Sequence, residues 1–143
     1  AETSEVAHGE PAKEATAHKG LRVGRYYTEE GIDPLEAIEY ERRHSRITEP
    51  SGEVVFELKN LEVPKSWSQL ATDILASKYC RRAGVPNTGY EVSAKQVINR
   101  VASTIRTYGE DQNYFATKND ADIFESELSH ILINQHGAFN SPV

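Results

Sequence analysis

The chain has 143 residues, 27% of them charged and 38% apolar, and carries a net charge of −6. That length allows one domain of ordinary size with a modest core, and the acidic balance argues against a general binder of nucleic acid or anionic membrane. No apolar run approaches the roughly 18 residues of a membrane span or forms a signal-peptide core, and the lone cysteine, Cys80, excludes an internal disulfide and suits a reducing, cytoplasmic compartment.

Residues 1–20 are polar and rich in Ala and Glu, with Val6 as their single large apolar side chain. They cannot bury enough surface to offset the entropy of ordering, so a disordered tail is expected. The ordered part is expected from Leu21, with Val23, Tyr26 and Tyr27 as candidate anchors. Asp33-Pro34 reads as a helix start, since Asp can cap and Pro fits the first helical position. A short helix would then run through Leu35 and Ile38 toward Glu41. Arg46-Ile47-Thr48 and the β-branched run from Val54 to Leu58 flank Glu49-Pro50-Ser51-Gly52, which predicts a hairpin near 46–58. Residues 61–64 precede a proline and read as extended.

Three helices follow. Ser66-Trp67-Ser68-Gln69 fits a capping box, with Trp67, Leu70 and Ile74 recurring at helical spacing. Lys78, Arg81 and Arg82 would lie in its last turn, and Gly84 and Pro86 would end it. Ser93-Ala94-Lys95-Gln96 repeats the box, with Val97, Val101, Ile105 and Tyr108 as the apolar stripe and Gly109 as the stop. Thr117 or Asn119 opens the last helix. Its buried face is expected at Ile123, Phe124, Leu128, Ile131 and Leu132, with Gly137 as its C-cap. The fold class is therefore mainly α, with one hairpin.

The residues carry no catalytic constellation: no Cys-x-x-Cys, no His-Glu-x-x-His, no glycine loop for phosphate and no nucleophile elbow. His130 and His136 are six apart and are expected on different helix faces, as surface imidazoles rather than metal ligands. Two cationic residues follow Cys80 and would lower its pKa, but a small semi-buried filler is the plainer reading. The run Arg42-Arg43-His44-Ser45-Arg46 suits either phosphate or, more simply, pairing with neighbouring acids. Trp67 suits core or interface packing. The chain closes on apolar, aromatic residues where domain ends are usually polar. This is expected to lead into a buried strand, with the chemistry lying beyond Val143. Ser141, between Asn140 and Pro142, suits either an ordinary turn or a hydroxyl held for a ligand.

Several blocks together resemble one family. They are residues 62–71 (EVPKSWSQLA), residues 77–86 (SKYCRRAGVP), Asp33-Pro34-Leu35 with Tyr40-Glu41-Arg42-Arg43, and the closing Ala138-Phe139-Asn140-Ser141-Pro142-Val143. In this order and spacing they resemble the start of the adenosylcobalamin-dependent (class II) ribonucleotide reductases, from about Gly20 to the end of the chain. The resemblance implies a helical N-terminal domain over 21–137, with 138–143 starting an α/β barrel that bears the active site. It implies reduction of ribonucleotides to deoxyribonucleotides by an adenosylcobalamin-initiated thiyl radical, with two further cysteines supplying electrons.

Ribonucleotide substrate and nucleotide effectors would be held by the barrel, and the cofactor mainly outside this segment. A thioredoxin-type protein would be the reductant, and a homodimer is an admissible assembly. Among the residues present only Ser141 takes a family role, that of contacting the substrate nucleotide. Cys80 takes none, and no residue is expected to be catalytic or to bind metal. The segment alone is expected to be inactive. The competing expectation is a free-standing helical interaction domain that docks through its apolar C-terminus. A third is a related reductase class with a separate radical-generating subunit.

Overall fold

The computed structural model describes residues 19–140. Most of the expected disordered tail, and Ser141, Pro142 and Val143, lie outside the described residues. The element order is β1 (Tyr40–Thr48), β2 (Val54–Pro64), α1 (Gln69–Ile74), a π-helical turn (Leu75–Tyr79), α2 (Ala94–Asp111) and α3 (Lys118–Ile133). The expectation of a mainly helical chain with one hairpin holds.

The hairpin is longer than its sequence signal. Glu49 and Gly52 close the turn, with Gly52 donating its N–H to the Glu49 carbonyl and adopting φ 86°. Pairing then continues to Tyr40 opposite Pro64. Two bulges place an extra residue on β2, one of them at Asn60, whose φ is 58°. The helix expected from Asp33 does not form. Asp33 does cap, accepting from the Leu35 N–H at 2.9 Å, and its carbonyl accepts from Glu36. One turn results, because residues from Tyr40 onward are taken by the ladder to β2. The inner end of β2 supplies Leu61 and Val63, both fully buried, to a core shared with Leu35, Trp67, Leu75, Val97, Ile98 and Ile133.

Helix α1 starts two residues later than the Ser66 box predicts. The Ser68 hydroxyl is the cap and accepts from Ala71 at 3.0 Å, while residues 64–67 form a turn. Gln69 does not reach back; it donates to the His44 carbonyl and to Asp73. The helix then widens, and the Cys80 N–H donates to the Leu75 carbonyl five residues back. It ends at Tyr79, so Arg81 and Arg82 lie beyond it, as do Gly84 and Pro86. Glu91 holds the chain just after that stop. It is 3% exposed, accepts the Arg81 N–H and binds Arg100 of α2 through both carboxylate oxygens.

In α2 the Ser93 cap forms as expected, accepting from Lys95, while Gln96 reaches one residue further back, to the Val92 N–H. Gly109 does not end this helix. It is buried inside it, and a Cβ there would lie 2.7 Å from Cε2 of Phe115. The stop is Asn113 at φ 55°, with Tyr114 donating to the Gly109 carbonyl and Asn113 to that of Glu110. The buried stripe of α2 is Ala94, Val97, Ile98 and Ala102; Val101 and Ile105 are half-buried and Tyr108 is exposed. Thr117 caps α3 as expected. Ile123 is buried, but Ala121, Ser129 and Ile133 complete that face, and Phe124, Leu128, Ile131 and Leu132 are half-buried. Arg106 joins α2 to α3 by pairing with Glu110, Asp122 and Glu125 at 2.6–2.8 Å.

The segment before the hairpin is anchored at Val23, Tyr26 and Tyr27 as expected, through their backbone N–H groups and the stacking of the Tyr27 ring on His130. Tyr26 and Tyr27 are exposed. Leu21 bridges to Phe115, and the Val23 N–H donates to Asp120 at 2.8 Å. The Glu127 carboxylate accepts the N–H groups of Tyr26, Tyr27 and Thr28 and the Thr28 hydroxyl. Burial raises its pKa, but the Thr28 hydroxyl and the three N–H groups outweigh that and hold it at about 2. This carboxylate therefore stabilises the fold fully above its ordinary value of 4.5, and the stabilisation is lost as pH falls through about 2. Glu127→Gln is expected to lower stability at pH 7 by about 1–2 kcal/mol, a figure reduced for solvent screening. Urea unfolding of both proteins across that acid range should show the gap narrowing as pH falls.

Candidate functional site

The residues singled out by sequence do not assemble into a reactive centre. Cys80 is 9% exposed and packs in the core. Burial, then Glu91, pushes its thiol up to about 11 against the opposing pull of Arg100. The two cations after it in sequence do not lower its pKa, and it is an inert filler. The basic run is engaged with acids: Arg42 with Glu62, Arg43 with Glu41, and His44 with Glu57. Arg43 also donates to the carbonyls of Lys65 and Trp67 and to the Thr72 hydroxyl, which makes it a brace between hairpin and α1. Trp67 is buried, and its indole N–H donates to the Ile133 carbonyl at 2.9 Å.

The histidine expectation needs correction. His130 and His136 meet, with ring centroids 5.4 Å apart, and both pack on Tyr27. They meet because α3 ends between them. Gln135 sits at φ 57°, its N–H donates to the Leu132 carbonyl and that of His136 to Ile131, so the chain reverses. Gln135, not Gly137, holds the left-handed C-cap position. Gln135→Gly is expected to stabilise the fold by about 0.5–1 kcal/mol, read as a raised urea midpoint with unchanged slope. Burial, then His136, lowers the His130 pKa. Among the described residues no three His, Cys, Asp or Glu side chains are placed to hold a metal.

What the reversal builds is a groove. Residues 137–139 run back along the end of α3 and, with Trp67, Ile74, Tyr79, Val101 and Leu132, line an open apolar cavity of about 480 Å³. Its wall includes the π-helical turn, through Leu75 and Tyr79. Phe139 at its rim is 46% exposed. Ser141 itself lies outside the described residues.

The order of blocks along the chain is shared with known proteins. The sequence model of the class II vitamin B12-dependent ribonucleotide reductases matches residues 41–135. The vitamin B12-dependent ribonucleotide reductase of Streptomyces coelicolor is 45% identical over 139 residues, covering 96% of this chain and 14% of that protein. The chain belongs to this family. Relatives of the same description in Rhodopirellula baltica and Agrobacterium fabrum are 38% and 34% identical, over 92% and 85% of this chain and 13% and 12% of theirs. The chain thus spans about a seventh of the length of the curated relatives it matches. Membership of class II removes the expectation of a reductase class with a separate radical-generating subunit.

The groove in this class II chain offers a cobalamin no imidazole ligand from the protein, since its lining is aliphatic, aromatic or amide, and the two neighbouring histidines are stacked on Tyr27 outside it. Sequence reasoning missed the groove, the Glu127 anchor and the Glu91–Arg100 clasp. The last two join residues far apart along the chain or across a loop, and no local pattern signals them.

Proposed function

We propose that this chain is the N-terminal domain of an adenosylcobalamin-dependent ribonucleotide reductase, an oxidoreductase that supplies deoxyribonucleotides for DNA synthesis. The observation that carries the reading is the 45% identity to the Streptomyces coelicolor reductase along 96% of the chain. The domain is a scaffold. It bears no reactive cysteine among its described residues, so the segment alone is inactive and the radical chemistry belongs to the rest of the polypeptide. Cobalamin, nucleotide effectors and most of the substrate site lie in that remainder, where bound cobalamin supplies the radical initiator. A thioredoxin-type protein is the reductant, and a homodimer is the assembly. The unpaired Cys80 suits the reducing cytoplasm.

Ser141 is the one residue assigned to the substrate, on the likeness of Asn140-Ser141-Pro142-Val143 to the family's substrate-contacting segment. A chimera in which this chain replaces the matched segment of the Streptomyces coelicolor reductase tests both parts. Ribonucleotide reduction by the chimera, and none by the isolated chain, is the expected result. A chimera that folds and binds cobalamin yet reduces nothing would contradict the domain assignment. In the active chimera Ser141→Ala should raise KM by about tenfold, as loss of one hydrogen bond implies. An unchanged KM would remove Ser141 from the site.

A further inference from the structure

We propose that the apolar groove is the docking face for the catalytic remainder of the reductase polypeptide. The inference rests on the reductase reading and adds to it the surface through which the domain acts. Among the described residues no charged side chain lines the groove, in a chain where 27% of residues are charged. Ile74 and Phe139 on its lining are 42% and 46% exposed, and Leu70, one turn before Ile74 on α1, is 70% exposed. Wet apolar surface of this kind is unfavourable by about 25 cal/mol per Å² and marks an interaction site.

The occupant follows from the relatives and from the chain path. The match takes up nearly all of this chain but only 14% of the Streptomyces coelicolor protein, whose remaining polypeptide is covalently joined to the matched part. Gly137, Ala138 and Phe139, the residues that follow α3, are themselves part of the groove wall. Polypeptide continuing from them starts at the rim, which gives it a high effective concentration over the groove. The π-helical turn contributes Leu75 and Tyr79 to the same lining.

Alkylation of introduced cysteines, read by mass spectrometry at the introduced position, tests this. Ile74→Cys and Phe139→Cys alter exposed positions, and Thr107→Cys on the exposed face of α2 is the control. Cys80 contributes little background, since burial pushes its pKa to about 11. Positions 74 and 139 should react rapidly in the isolated chain and at least tenfold more slowly in the chimera, with position 107 unchanged. Either groove position suffices if the other variant misfolds. Equal rates in the two proteins would overturn the docking face. So would protection already present in the isolated chain that is lost on dilution, which would assign the groove to a second copy. Activity of the unsubstituted chimera reports on the reductase reading separately: an active chimera with an unprotected groove overturns the docking face alone.

Discussion

Trp67→Ala is expected to remove about 3–5 kcal/mol of stability, enough to leave much of the chain unfolded at physiological temperature. Two losses add. The indole is 8% exposed at the junction of β2, α1 and α3, so truncation opens a large cavity in the middle of the core. It also removes the N–H that satisfies the Ile133 carbonyl, one of the last-turn carbonyls of α3 that have no partner within the helix. Trp67→Phe separates the two: most of the volume stays, the hydrogen bond goes, and the expected loss is about 1–2 kcal/mol. Urea unfolding followed by far-ultraviolet circular dichroism is the measurement, since Trp67 is the sole tryptophan and fluorescence disappears with it. A loss under about 1 kcal/mol for the alanine variant would show that this junction does not hold the layers together.

Arg100→Met is expected to remove about 3 kcal/mol. Its guanidinium binds both oxygens of Glu91 at 3.0 and 3.2 Å and donates to the Tyr79 carbonyl at the end of the π-helical turn. Glu91 is 3% exposed, so removing the arginine leaves a buried carboxylate held by the Arg81 N–H. The Arg100 side chain is 29% exposed, which places the effect at the low end for a broken buried pair. The double variant Glu91→Gln with Arg100→Met should lose less than the sum of the single changes, because no uncompensated charge remains. Additive losses in that cycle would mean that the two side chains act independently.

Legibility of the fold followed the range of the interaction. The Pro-Ser-Gly turn and the caps at Ser93 and Thr117 use residues within a few positions of each other, and each forms where the sequence places it. The first part of strand β1 was hidden because Tyr40-Glu41-Arg42-Arg43 shows no alternation, with Glu41 and Arg42 both exposed, and is fixed only by its pairing to β2. Two helix ends were misplaced because Asn113 and Gln135, not glycines, take the left-handed position. Glu127 binds Thr28 across 99 residues, a contact no local pattern carries. The family, by contrast, was legible from its ordered blocks, and the match of the class II model to residues 41–135 agrees with that reading. Of the candidate site, the apolar, aromatic chain end that includes Phe139 was legible, while the groove around it needed α1, α2 and α3 brought together.

The central claim is that this chain is one domain of a much longer reductase. Reading the gene through and past the codon for Val143 tests it most directly. The claim predicts an open frame that continues with the remaining six-sevenths or so of the relatives' length, including the radical and redox cysteines. A stop codon directly after Val143 would contradict it and leave a free-standing domain whose apolar groove serves another partner.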